Sequence, residues 1–452
     1  MNTLIKTLSI IALSLCGLSA NAYDFMVNGI AYNINSDQSS VTVTYEVKSS
    51  GPSYFVEPVG SLVLPSTVSY NGKSYSVVAV GPYSFWNCSK ITSVVIPNSV
   101  VEIGDYSFAS CGNIQELSIG NNVETIGKSA FGGNKIENLV IPNSVKYIGL
   151  YCFRGCSNLK RVVIGDGVVT IGFMAFDGCE DVDQLIVGES VLWVGGENSD
   201  NRVLPISKNI VWNAINCNAF VCSLQPCDES VKIGNKVRQI PGGFLSCHRY
   251  QWDHPQGPLE IVIPESVERI GHRAFFHLSF INKDLTIPES VNVIEGKAFQ
   301  GCGLESVRIP NATIWSEAFS GNNLKTVIIG AGVNRIDSKA FLDNEEMVSF
   351  HNQNPEPQLI SDDVFSNENY LHCILYVPSG SVSKYKAAQG WQLFRNIVGE
   401  DSGIEDIVSD QLNLEEVERY SLDGCRLSSP QLGINIVRYS DGSFRKVLVP
   451  NN

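Results

Sequence analysis

One phenylalanine position returns through this chain at an almost constant interval. Phe85, Phe108, Phe131, Phe153 and Phe176 are separated by 23, 23, 22 and 23 residues. After an irregular stretch, Phe244, Phe275, Phe299, Phe319, Phe341 and Phe365 resume the series. Aligned on that residue, one unit reads roughly V-x-x-I-G-x-x-A-F-x-G-C-x-x-L-x-x-V-x-I-P-x-S, as in "VKYIGLYCFRGCSNLKRVVIGDGV" at 145–168. No unit this short buries its apolar side alone, whereas units stacked in register bury a continuous core. The period therefore predicts a solenoid.

Each piece of the unit has a local expectation. The L-x-x-V-x-I run alternates and is β-branched, which predicts a short strand with its Val and Ile facing inward. The P-x-S that follows breaks the strand. V-x-x-I-G predicts a second short extended piece, with Gly permitting the next turn. The x-x-A-F-x-G-C segment is too short to be a stable helix by itself, so a helical turn is expected there only because its Phe packs into the stack.

Three residues after the phenylalanine stand Cys88, Cys111, Cys156, Cys179, Cys247 and Cys302, while Asn134, Asn322 and Asn344 hold the same slot in other units. A catalytic thiol would not recur six times or be replaced by Asn. Disulfides between adjacent units are also disfavoured, since in-register strands lie ~4.7–4.9 Å apart and bridged Cβ atoms need about 3.8 Å. The slot is read as structural: a small buried side chain that satisfies backbone groups of the turn and packs against neighbouring coils.

Cys alternating with Asn at one repeat position is similar to the ladder slot of leucine-rich repeats. The phrases "VVIPNSVVEIGDYSF" and "LVIPNSVKYIGLYCFRGCSNLKRVVIG" resemble the BspA-type leucine-rich repeats of exported proteins from Bacteroidetes bacteria and some parasitic protists. The resemblance implies an α/β solenoid dominated by short parallel β-strands, with a β-rich N-terminal cap and a C-terminal β-hairpin module. It implies the following layout: a cap over 23–78, repeats over 79–375 with an irregular insertion at 189–243, and a closing repeat over 376–404. Within the closing repeat Ser383–Ala388 should be helical. A C-terminal β-module occupies 405–452, where "DG" at 441–442 between two alternating runs is a hairpin signal. That segment is similar to the sorting domain of proteins exported by the type IX route, although Cys425 stands where the pattern has Arg.

The N-terminus reads as an export signal over 1–22. Lys6 precedes the apolar "TLSIIALSLCGLSA", and "ANA" supplies the small residues before a cleavage at Tyr23. Leu15 before Cys16 is bulky where a lipoprotein signal has Gly or Ala, which favours ordinary cleavage. No other segment has the ~20 apolar residues of a membrane span. The reading is an exported chain, at the cell surface or secreted, with the periplasm left open.

A formal net charge of −14 and the absence of a basic run argue against a nucleic-acid partner, because phosphate binding needs clustered Lys and Arg. The six histidines, His248, His254, His272, His277, His351 and His372, form no H-E-x-x-H. The "HRYQWDH" cluster at 248–254 reads as a polar loop before it reads as a cation site. Cys217, Cys222 and Cys227 are spaced too widely for the usual zinc pairs; one local disulfide or reduced core thiols both remain open. No nucleophile elbow or phosphate loop is present. An enzyme is not expected, and neither is a cofactor or a metal.

Binding remains. The outward pairs of V-x-x-I differ from copy to copy: Val101–Glu102, Glu124–Thr125, Lys146–Tyr147, Val169–Thr170, Glu268–Arg269, Asn292–Val293 and Asn334–Arg335. About 12 coils at ~4.8 Å would present a face roughly 55–60 Å long. The resemblance implies an adhesin-like partner, a host or bacterial surface protein or glycan, with no ligand-binding residue identified. The alternative is an envelope-associated carbohydrate-binding or structural scaffold, which a row of exposed Trp and Tyr would favour.

Overall fold

The computed structural model describes residues 23–48, 51–53, 57–195, 204–205, 207–217, 226–246, 261–280, 282–400, 416–420, 426–427, 429, 433–439 and 444–449. The expected export signal, Cys222, Cys247 and the 248–254 cluster fall outside them. Cys227 lies within the strand Pro226–Ile233. The chain divides into two compact units, Met1–Gly399 and Glu400–Asn452.

The first unit is a parallel β-solenoid. The L-x-x-V-x-I runs form an eight-stranded parallel sheet from Gly60–Val63 to Pro226–Ile233, and a second sheet that is parallel from Asp284–Thr286 to Ile374–Pro378 and takes Asn396–Glu400 as its sixth strand. The V-x-x-I runs form two-residue strands, in one column from Glu102–Ile103 to Trp193–Val194 and another from Gln239–Ile240 to Arg335–Ile336. Register is strict: Ile103 pairs with Ile126, Ile126 with Ile148, Ile148 with Ile171 and Ile171 with Val194. One core runs from Phe25 to Phe394 between the columns.

The N-terminal strands belong to the solenoid. Phe25–Val27, Ile30–Ile34 and Ser40–Thr44 form an antiparallel meander, and Ser40–Thr44 then pairs in parallel with Lys73–Val80. The meander thus covers a sheet edge that would otherwise be open. At the other end, the expected helix is present as Val382–Ala387. Trp391 follows, fully buried, with its indole N–H donating to the Gln358 carbonyl at 2.8 Å.

The third side of each coil departs from the expected helical turn. Residues two before and two after the phenylalanine are left-handed in coil after coil: Tyr83 and Asn87, Tyr106 and Ser110, Ser129 and Gly133, Tyr151 and Gly155, Met174 and Gly178. The backbone alternates its donors to match. Phe85, Phe108, Phe131 and Phe153 donate their N–H groups to the next coil, at Ser107, Ala130, Cys152 and Ala175, with lengths of 2.7–2.9 Å. The N–H three residues on donates within its own coil, as Cys88 does to the Phe85 carbonyl. A helix would direct every donor along its own axis. Here half must cross to the neighbour, and the positive-φ residues aim them there.

The glycine of V-x-x-I-G also has a different reason from the expected one. At Gly104, Gly127, Gly149, Gly172 and Gly271 its φ is not left-handed; the coils touch there. A Cβ on Gly149 would lie 2.5 Å from the Gly127 carbonyl carbon, and one on Gly172 would lie 2.6 Å from that of Gly149.

The 189–243 stretch keeps the strand column. Ser207–Trp212 pairs with Val182–Val187 on one side and with Pro226–Ile233 on the other. Trp212 is buried and packs edge-on to Phe244 at 5.2 Å between centroids. In the second unit, Glu416–Tyr420, Arg426–Leu427, Gly433–Tyr439 and Phe444–Val449 form an antiparallel sheet. The last two strands flank the "DG" at 441–442.

Candidate functional site

The interior of the solenoid is built from contacts that repeat between coils. Phenylalanine rings stack from coil to coil, with centroids 5.0 Å apart for Phe85–Phe108, 5.2 Å for Phe108–Phe131, 5.6 Å for Phe131–Phe153 and 5.3 Å for Phe153–Phe176. The slot three residues later reaches back to the phenylalanine carbonyl of the previous coil. Cys111 Sγ meets Phe85 O at 3.0 Å, Cys156 Sγ meets Phe131 O at 3.3 Å, Cys179 Sγ meets Phe153 O at 3.3 Å and Cys302 Sγ meets Phe275 O at 3.0 Å.

The asparagines do more. Asn134 Nδ2 donates to Phe108 O at 2.9 Å and to Phe131 O at 2.8 Å, and its Oδ1 accepts from Gly112 N. Asn322 and Asn344 repeat this, donating to Phe299 and Phe319 and to Phe319 and Phe341. Cys88 is buried in the same slot. Asn369 is a further rung that the spacing did not show, donating to the Asn344 carbonyl at 2.8 Å. It stands four residues after Phe365 because the short helix Asn367–His372 replaces the usual turn there.

Cys88, Cys111, Cys152, Cys156, Cys179, Cys217, Cys302 and Cys373 are buried, and Cys111, Cys152, Cys156, Cys179 and Cys373 are free thiols. Burial pushes Cys111, Cys156 and Cys373 up to about 12, and raises Cys152 and Cys179 well above the ordinary thiol value. Such thiols are poor nucleophiles, because the thiolate is the reactive form. Cys217, read from sequence as part of a C-x4-C-x4-C set, is fully buried among core side chains. Among the described residues no three His, Cys, Asp or Glu side chains group as a metal site.

The outward faces offer recognition. On the eight-stranded sheet, register places Val63, Val95, Ser118, Val140, Val163, Ile186 and Val211 in one outward row. Val63 is 61%, Val140 51% and Val95 37% exposed. A polar row runs beside it, through Ser93, Glu116, Asn138, Arg161, Gln184 and Asn209. In the six-stranded sheet the corresponding row is Thr286, Arg308, Ile328, His351 and Tyr376, which is more polar than the row of the first array. Sequence reasoning weighed only the V-x-x-I pairs and missed this row. Its signal was the unbroken "VVI", "LVI", "VVI" and "LIV" of four strands, interrupted once by "LSI" at 117–119, in which the middle residue must face out when its neighbours face in.

The V-x-x-I face carries the expected variable pairs. Glu102, Thr125, Tyr147, Thr170 and Trp193 stand in register. Val101, Glu124, Lys146, Val169 and Leu192 form the adjacent column, each N–H bonded to the carbonyl of the residue before it in that column. In the second array Arg269, Val293, Thr313 and Arg335 continue the pattern.

A family model described as the BspA type leucine rich repeat region matches residues 78–197 and 258–372, in 6 copies, more than half of the chain. Among solved structures, the pneumococcal vaccine antigen PcpA aligns at 18% identity and a TM-score of 0.41, over 83% of this chain and 98% of that one. A leucine-rich repeat protein from Bacteroides ovatus aligns at 20% identity and 0.39, over 83% and 88%. A leucine rich cell surface protein from Faecalibacterium prausnitzii aligns at 20% identity and 0.34, over 84% and 95%. No curated protein matches.

Proposed function

The chain belongs to the BspA-type leucine-rich-repeat family, and from that premise we propose that it is an exported, non-catalytic recognition protein whose first array holds a partner protein at the cell surface. The observation that carries this reading is the row Val63–Val95–Ser118–Val140–Val163–Ile186–Val211, apolar except at Ser118, held in register beside a polar row on a rigid sheet. Protein interfaces pair an apolar centre with a polar rim, and a row of β-branched side chains loses little rotamer freedom when covered. The buried thiols and the stacked phenylalanines leave the interior to packing. Several expectations belong to this proposal: the export signal over 1–22, the division at 23–78, 79–375, 376–404 and 405–452, a Bacteroidetes origin, and a sorting role for the C-terminal sheet.

The test uses the full mature chain, immobilised and exposed to a panel of extracellular-matrix proteins and bacterial surface-protein extracts. Capture of a defined protein is expected, with loss in a Val140→Glu, Ile186→Glu variant whose circular dichroism is unchanged. These two positions are separated by one strand, so the new charges are not directly opposed. Capture that survives the double substitution would remove the row from the interface. Protease shaving of intact cells tests the location: release of repeat peptides supports the surface, and protection until the outer membrane is opened overturns it.

A further inference from the structure

On the other outward face, Thr125, Tyr147, Thr170 and Trp193 share one column, paired residue to residue along the stack. The two aromatic side chains therefore stand two coils apart, about 9.6 Å at ~4.8 Å per coil, with a threonine between them. Trp193 is 57% and Tyr147 38% exposed. The Tyr147 and Thr170 hydroxyls and the Trp193 indole N–H have no hydrogen-bond partner among the described residues, so donors and acceptors stand beside both rings. From sequence alone these two aromatics made no row; the register makes them one.

We infer that this column is a platform on which one neutral, extended polysaccharide strand lies along the stacking direction. The axial faces of a pyranose ring carry C–H groups that pack on aromatic rings, while its equatorial hydroxyls need polar partners at the rim. An extended β-linked chain repeats every two sugars over about the length of two coils, so alternate sugars meet Tyr147 and Trp193 and the intervening one meets Thr170. Charge selects a neutral chain. The four positions carry no charge in a protein of net charge −14. Their neighbours Glu124 and Lys146 are one of each sign, and Glu102 closes the column at one end. A polyanion would find no cluster of cations here. This site is separate from the apolar row, and neither proposal depends on the other.

The test is native gel electrophoresis of the full mature chain through gels containing a neutral β-1,4-linked polysaccharide with a two-sugar repeat, glucomannan or galactomannan, with polygalacturonate as the anionic control. Retardation by a neutral polymer is expected, weakened on the order of tenfold by Trp193→Ala and by Tyr147→Ala, and retained in part by Trp193→Phe. The Val140→Glu, Ile186→Glu variant should be retarded like the wild type. Absence of retardation by either neutral polymer overturns the inference, as does retardation that both alanine variants keep. Loss of protein capture in Trp193→Ala without any effect of glycan would assign the column to a protein partner instead.

Discussion

Replacing Asn134 by alanine isolates what the ladder contributes. The side chain is buried, donates to Phe108 O at 2.9 Å and Phe131 O at 2.8 Å, and accepts from Gly112 N at 3.2 Å. A hydrogen bond contributes about 1 kcal/mol net, and three bonds give about 3 kcal/mol. The loss at Phe131 O is softened because the Cys156 thiol also reaches it, which places the expected destabilisation at about 2–3 kcal/mol. Asn134→Cys imports the side chain that other coils use. A thiol there keeps one contact to the previous phenylalanine carbonyl, as Cys111 does, so roughly half the loss should return.

The assay is equilibrium urea unfolding followed by circular dichroism, joined to hydrogen exchange of the amides of Phe108, Phe131 and Phe153. Both are needed because a repeat array unfolds through nearest-neighbour couplings and need not be two-state. Exchange should accelerate in the coils flanking residue 134 and leave the closing repeat near Trp391 untouched. An alanine variant within about 0.5 kcal/mol of wild type, or a cysteine variant no better than alanine, would refute the reasoning.

Other outcomes follow from the same geometry. Thiols raised in the folded state from 9.0 to about 12 at Cys111 and Cys156 keep protons that the unfolded chain loses, so they favour folding below pH 9 and lose that contribution as pH rises toward 12. The urea midpoint should fall steadily from pH 9 to pH 11; a flat profile contradicts the burial of these thiols. An aromatic disulfide reagent at pH 8 should label the ladder cysteines only after unfolding. Cys156→Ser should lower stability by about 1 kcal/mol and leave capture of any partner unchanged; lost capture at intact stability would make that thiol a binding residue. Gly149→Ala should cost about 1–3 kcal/mol by overpacking against Gly127, and an unchanged melting temperature would show that the coils can separate there.

Much was legible because the unit is short and repeated. The period required stacking, the alternation of L-x-x-V-x-I assigned inward and outward residues, and the exchange of Cys with Asn argued against a catalytic thiol at that slot. These are local or statistical properties, and repetition averages away their noise. The A-F segment was misread as helical because single-coil reasoning has no neighbour to donate to; left-handed Tyr106 and Ser110 make sense only beside the next coil. Gly149 was credited with turning when its work is close approach, a distance between residues of different coils. Asn369 was missed because a helix shifted it by one position.

The amino-acid order by itself determined the solenoid, its two strand columns and which side chains enter its core, since each follows from burying a repeated apolar pattern. Only the tertiary structure decided what the outside presents. Val140 beside Val163, or Tyr147 two coils from Trp193, are relations between residues 23 to 46 positions apart. They exist because parallel in-register pairing converts separation along the chain into adjacency along the stack.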